Sequence, residues 1–112
     1  MKFRIRERKG VIVITLDGEM VGGPDATILT EKLHDLIDDG KNRIVVDMAK
    51  VDWMNSSGLG ILIGGLTTVR NSGGELKLLH LPKKIQELLQ ITKLDRVFGI
   101  FEDEGEVVDS FS

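Results

Sequence analysis

The segment Arg43 to Asp47, RIVVD, constrains the fold more than any other part of the chain. It is short and nearly all apolar, whereas a strand with one solvated face alternates apolar and polar residues. A strand of this kind is typically buried on both faces, as in a sheet that is covered by helices. We therefore predict that this segment is an inner strand of an α/β sheet.

The N-terminal part of the chain predicts a hairpin and a helix. Residues 3–8 and 11–16 are short β-type runs joined by a Lys-Gly turn. They are followed by GEMVGGPDA, which is rich in turn residues and predicts a loop. Pro24 suits the first turn of a helix, apolar residues then recur at helical spacing, and Gly40 ends the run.

Helices and strands also alternate after RIVVD. A helix is predicted to run to about Arg70, a strand over 75–81, a helix from Pro82, a short strand or extended segment over 97–101, and a short helix near the end of the chain. This alternation predicts an α/β fold, because the helices are needed to cover the sheet. We expect a single domain over residues 1–112, with a mixed sheet of about four to five strands, an N-terminal hairpin and three to four helices.

Composition excludes several classes of function. The chain has no cysteine, which rules out a disulfide framework and a thiolate site and is compatible with a reducing compartment. A net charge of −3 argues against a duplex nucleic-acid partner, which requires a basic face. Every apolar stretch is shorter than the roughly 20 residues that span a bilayer. We expect a cytoplasmic protein with no nucleic-acid or membrane partner.

Residues 53–65, WMNSSGLGILIGG, contain three consecutive residues, Asn55 to Ser57, that are suited to cap a helix. Asn55, Ser56 and Ser57 each carry an oxygen that can accept a hydrogen bond from a free backbone N–H of the first turn. One cap is sufficient, so capping alone does not account for three such residues. A helix start also favours an anion, so a serine hydroxyl there is a place where a phosphate can be held. On a docking surface, its charge of about −1.5 to −2 would oppose association.

Four glycines interrupt the helix predicted after these serines, and each costs up to about 1 kcal/mol relative to alanine. Gly60 and Gly64 lie on one face of the helix, and Gly58 and Gly65 lie on another. Close packing against the sheet accounts for one such face. The second face leaves room for a docking surface.

The sequence contains no strong catalytic or metal-binding motif. GLGILIG resembles the dinucleotide fingerprint, but it does not directly follow a strand, and a serine-hydrolase elbow would need glycine where Met54 stands. His34 and His80 have no triad partners at recognisable spacing and are interpreted as surface or strand-end residues. The carboxylates of 38–39 and 102–104, including Glu104, are interpreted as solvated ends of elements. We therefore predict no catalytic residue, no cofactor and no metal.

Several segments together resemble a known family. They are the N-terminal hairpin, Gly18-Glu19, RIVVDMAKVDWMNSSGLGIL, LKLLHL and LDRVFGIF. The chain resembles the STAS domain over residues 3 to 111, specifically the stand-alone anti-sigma factor antagonist type, and SSGLG is the most specific part of the match. The resemblance implies a mixed sheet of about four strands packed by helices.

The resemblance also implies a function. In such proteins the unphosphorylated antagonist binds an anti-sigma factor that is also a serine kinase, and the sigma factor is released. The kinase then phosphorylates the first serine of the motif, which is Ser56 here, with Ser57 as the second choice, and the complex dissociates. A serine phosphatase restores the binding form. ATP and Mg²⁺ belong to these partners, so the resemblance implies a binding protein that is not an enzyme.

Two positions depart from the family pattern. Asn55 stands where an aspartate usually precedes the serine pair, and Val21 stands where the first loop usually carries an acid, a role for which Asp25 is the nearest candidate. Trp53 and Met54 are either core residues or a hydrophobic anchor for the partner. The surface that we expect to contact the partner consists of Glu19, Asp25, Trp53, Asn55, Ser56, Ser57, Gly58 and Gly60.

Two other functions remain open from the sequence. The departures from the family pattern are compatible with a scaffold or adaptor that pairs with other STAS-like domains in a stress or surface-response assembly. The glycine pattern leaves a nucleotide-binding protein as a third hypothesis. If the chain is an anti-sigma factor antagonist, we expect a monomer or a weak dimer.

Overall fold

The computed structural model describes residues 1–112 and contains one mixed five-stranded sheet. The spatial order is β1-β2-β3-β4-β5; β1 and β2 are antiparallel, and all other neighbours are parallel. This arrangement confirms the predicted fold class. The strands are β1 (Lys2–Arg8), β2 (Val11–Met20), β3 (Arg43–Met54), β4 (Glu75–Leu79) and β5 (Gly99–Phe101). The helices are α1 (Pro24–Asp38), α2 (Ser56–Asn71), α3 (Lys83–Ile91) and α4 (Glu104–Asp109), with a 3₁₀ turn at Leu94–Arg96.

The sheet is apolar on both faces, as RIVVD predicted. Ile44 and Val46 lie in a core of 22 buried residues that includes side chains of α1, α2 and α3. Val45 faces the other way, into a cluster of six buried residues shared with β2, β4 and α4. The two clusters bury the inner strand on both faces, and burial on both faces is the environment in which nearly all-apolar strands occur. None of the helices is long and apolar enough to cross a membrane.

Four predicted boundaries are wrong. Strand β3 runs on to Met54 and does not end at Asp47, because its second half pairs with β2. The segment from Gly18 to Met20 belongs to β2 and not to a loop, because it pairs with the far end of β3, where Met20 faces Met54. Strand β4 ends at Leu79 and not at residue 81, because His80 has a φ of 55° and leaves the extended conformation. Strand β5 begins only at Gly99, after the 3₁₀ turn.

The end of β3 extends past its neighbour β4. Only Arg43 to Asp47 pair with β4, whereas the segment from Met48 to Met54 pairs with β2 alone. After Leu79 the chain turns away from the sheet and enters α3. The last residues of β3 therefore lie between the end of β2 on one side and α3 on the other, and they lead directly into α2.

Helix α4 is tied to β1 by a charged cluster, which corrects the interpretation of Glu104 as a solvated carboxylate. Arg6 Nη1 and Nη2 both donate to the Glu104 carboxylate, and Arg8 Nη1 donates to Glu104 Oε2 at 2.9 Å. The hydrogen bonds from Arg6, and to a smaller extent the one from Arg8, lower the pKa of Glu104 to about 2, against the opposing effect of burial. Asp103 caps the same helix by accepting from the N–H of Glu106.

We predict that Glu104→Gln lowers the free energy of unfolding at pH 7 by about 1 kcal/mol, a modest value because both arginines are half-exposed. Since folding depresses the pKa of Glu104 from 4.5 to about 2, its contribution is present above pH 4.5 and is lost as the pH falls toward 2. Urea unfolding of wild type and variant should therefore differ at pH 7 and converge at low pH. Glu106→Gln, in the same turn but without an ion pair, is the control; a difference that persists at pH 2 would contradict this account.

Candidate functional site

The junction of β3 and α2 is capped by Asn55. Its backbone is extended, and its Oδ1 accepts a hydrogen bond from the N–H of Gly58 at 2.9 Å. The Asn55 amide thus caps the N-terminus of α2. Because Asn55 is the cap, neither Ser56 nor Ser57 is needed for it. Both serines are exposed, and neither side chain makes a hydrogen bond within the protein.

The glycines of α2 divide into the two faces expected from their spacing. A Cβ at Gly58 would lie 1.9 Å from the carbonyl oxygen of Met20, and one at Gly65 would lie 3.3 Å from Leu33 Cδ1. These two glycines allow α2 to pack closely against β2 and α1. Gly60 and Gly64 are exposed, and a Cβ at either would meet nothing within 4 Å. Packing therefore explains the first pair and not the second.

The exposed glycines lie on a strip that begins at Ser56. Residues three and four apart on a helix are surface neighbours, and Ser56, Gly60, Ile63, Gly64 and Thr67 follow that spacing along the outer side of α2. All five are exposed, and none of them carries a charge. We call this strip the α2 ridge. It is an uncharged surface with an isoleucine near its centre and little side-chain cover over the backbone.

The loop between β2 and α1 distinguishes the two serines. Gly22 and Gly23 have φ values of 100° and 68°, which favour glycine, and they bring the loop close to the start of α2. A Cβ at Gly22 would lie 3.0 Å from Ser57 Cβ. Ser57 thus lies against this loop, whereas Ser56 lies on the α2 ridge.

The other residues predicted to contact a partner differ in their exposure and in their distance from the Asn55 cap. Glu19 is exposed and is the register partner of Trp53 on β3, so both lie beside the Asn55 cap. Asp25 is half-buried in the first turn of α1 and forms no hydrogen bond or ion pair with α2. The structure separates the two residues whose roles were left open: Trp53 is 52% exposed, and Met54 is only 5% exposed and belongs to the core.

One polar pair at this edge of the sheet was not predicted. Asp47 is buried, and its Oδ1 lies 3.1 Å from His80 Nδ1 while it also accepts from the N–H of Ala49. This contact links β3 to the turn between β4 and α3. His80 is at a strand end as expected, but its partner lies 33 residues away, where no local pattern shows it. No group of three or more metal-ligating side chains is assembled in the structure.

The comparison of sequences identifies the family. The family described as STAS domain matches residues 2–107. The anti-sigma-B factor antagonist of Bacillus subtilis is 30% identical over 96 residues, which are 86% of each chain. The anti-sigma F factor antagonist of Paenibacillus polymyxa is 21% identical over 104 residues, 93% of this chain and 89% of that one.

Solved structures share the fold. An anti-sigma factor antagonist from Mycobacterium paratuberculosis superimposes with a TM-score of 0.81 at 19% identity, covering 97% of this chain and 92% of that one. The Bacillus cell fate determinant SpoIIAA in its phosphorylated form gives a TM-score of 0.75 at 21% identity, covering 99% and 100%. Because the family match extends over nearly the whole length, this protein belongs to the STAS domain family.

Proposed function

We propose that this protein is an anti-sigma factor antagonist that binds its partner through the α2 ridge and releases it when Ser56 is phosphorylated. The observation that carries the proposal is the position of Ser56. Its hydroxyl is exposed, free of internal hydrogen bonds, and placed at the start of an uncharged strip. It is thus accessible to a kinase and lies where a new charge would meet a bound partner.

The electrostatics of this position suit a switch that acts on binding and not on folding. A phosphate on Ser56 would lie beside the N-terminal end of α2, where the helix dipole and free N–H groups favour an anion. The helix is therefore expected to remain folded. Against a partner, however, a group with about −1.5 to −2 charges must be desolvated. A penalty of about 2.7 kcal/mol is sufficient to lower affinity 100-fold.

The class of partner follows from the relatives. Two of them are named as antagonists of anti-sigma factors, and a phosphorylated form of one structural neighbour has been solved. We propose that the partner is an anti-sigma factor with serine kinase activity, that a serine phosphatase reverses the modification, and that ATP and Mg²⁺ are bound by those proteins. This chain then acts by binding, in the cytoplasm, and not as an enzyme.

A pull-down from the native cell tests this proposal. The Ser56→Ala chain, which cannot be phosphorylated at that position, serves as bait beside Ser56→Asp, and recovered proteins are identified by mass spectrometry. We expect Ser56→Ala to recover an ATPase-type serine kinase that also binds a sigma factor, and Ser56→Asp to recover less of it. Recovery of a large assembly of homologous STAS chains by both baits would instead favour the scaffold function.

The exposed glycines of the α2 ridge give a prediction in which stability and binding move in opposite directions. Gly60→Ala and Gly64→Ala should each raise the free energy of unfolding by up to about 1 kcal/mol, because alanine is the better helix former and the added methyl meets open space. The same methyl covers the backbone at the proposed interface, so affinity for the anti-sigma factor should fall about tenfold, or about 1.4 kcal/mol.

Urea unfolding and isothermal titration calorimetry measure the two effects. Since the variants are expected to gain stability, a loss of affinity cannot be attributed to unfolding. Unchanged or tighter binding by both variants would show that the α2 ridge is not part of the interface with the anti-sigma factor.

A further inference from the structure

A groove of about 370 Å³ lies between the end of β3 and helix α3. It exists because β3 continues past the end of β4, so that no strand covers this side of its last residues. Its apolar lining includes Trp53, Met54, Leu88 and Ile91. Trp53 is 52% exposed and Ile91 is 80% exposed, so the groove is open to solvent along its length. Apolar side chains of this size left in water are typical of an interaction site.

Charged side chains surround the apolar centre of this groove. Lys83 and Lys84 lie at the start of α3, Glu87 lies one turn further on, and Asp52 lies on the β3 side. None of the four forms a salt bridge within the chain. An apolar centre with a polar rim is the usual anatomy of a protein–protein contact, in which buried aromatic residues contribute most of the affinity.

The groove and the α2 ridge adjoin the same short stretch of chain. Trp53 lines the groove, Asn55 caps α2, and Ser56 begins the ridge. A protein that covers Ser56 is therefore brought next to the groove. The unpaired charges of both signs fit a protein segment that carries acidic and basic residues on either side of an apolar one, because each charge then finds an opposite partner.

We propose that the groove is a second contact site for the anti-sigma factor, and that it receives an apolar segment of that protein flanked by charges of both signs. This inference rests on the proposed function. In it the two surfaces have different tasks: the groove supplies affinity through Trp53 and Ile91, and the ridge carries the residue that ends the contact when it is phosphorylated.

The single tryptophan of the chain makes the test direct. The chain is labelled with 5-fluorotryptophan, so that one ¹⁹F resonance reports Trp53, and it is titrated with the anti-sigma factor recovered by the Ser56→Ala bait. We expect the resonance to shift on binding, and we expect Trp53→Ala and Ile91→Lys each to weaken binding about tenfold or more. Val97→Lys is the control, because Val97 is also an exposed apolar residue, 41% exposed, but it does not line the groove.

The outcomes separate the two proposals. If the resonance is unchanged at saturation, and Ile91→Lys binds like wild type while Ser56→Asp binds more weakly, the groove is not a contact site and the proposed function stands. If the wild-type chain binds no anti-sigma factor, both proposals are wrong. Weakening by Val97→Lys equal to that by Ile91→Lys would also overturn the groove proposal, because the effect would then not be specific to the groove.

Discussion

Ser56→Asp is expected to weaken binding to the anti-sigma factor about tenfold or more, and phosphorylation of Ser56 about 100-fold, while Ser56→Ala binds as tightly as wild type. The reason is charge at an exposed position of the uncharged α2 ridge. Aspartate carries one negative charge and phosphate about two, so phosphorylation should lower the affinity more than Ser56→Asp does. Calorimetric titration of each form with the purified anti-sigma factor measures the difference.

Ser56→Asn is the matched control for this prediction. Asparagine has nearly the size and shape of aspartate but no charge, so it isolates electrostatics from steric effects. We expect Ser56→Asn to bind much more tightly than Ser56→Asp. Equal affinities for these two variants would show that bulk and not charge controls the contact, and the switch as described here would be wrong.

Gly58→Ala is expected to destabilise the fold by about 3 kcal/mol, because overpacking of this kind is costly when the neighbours cannot move. The added Cβ would lie 1.9 Å from the carbonyl oxygen of Met20 and 2.8 Å from its carbonyl carbon. Both are backbone atoms of a paired strand, so relief requires α2 to shift away from β2. The helix propensity of alanine offsets only about 1 kcal/mol of this cost.

The contrast with Gly60→Ala makes this prediction specific. The two glycines lie two residues apart in the same helix, yet the same substitution should lower stability at Gly58 and raise it at Gly60. Urea unfolding of both variants under one set of conditions gives the comparison. A Gly58→Ala variant as stable as wild type would mean that α2 does not approach β2 as closely as the structure describes.

Much of the fold was predictable because its signals are local. RIVVD is apolar enough to require cover on both faces, and Pro24 and Gly40 mark the two ends of α1. The extent of β2 was not predictable, since Gly18 has a φ of 119° and belongs to a glycine-containing segment that resembles a turn. Gly18 is part of the sheet because it pairs with Val51 on β3, and a pairing between distant residues leaves no signal in the local sequence. The partners of Glu104 were also not predictable, because Arg6 is 98 residues away.

The candidate site shows the same division. Asn55, Ser56 and Ser57 were assigned to a helix start from local sequence, and the structure places them there. The exposure of Trp53 was left open because it depends on where the neighbouring strand β4 stops. Met54 lies in the main core. That placement depends on which face of β3 the side chain occupies, and the sequence alone does not assign the face to the core or the solvent.

The measurement that tests the central claim most directly is a phosphorylation map. The chain is incubated with the purified anti-sigma kinase and Mg²⁺-ATP, modified sites are located by mass spectrometry, and the modified chain is then titrated with the same kinase. We predict one phosphate, on Ser56, none on the Ser56→Ala chain, and loss of binding by the modified form. A phosphate confined to Ser57 or elsewhere, or a Ser56-phosphorylated chain that binds as tightly as before, would contradict the account.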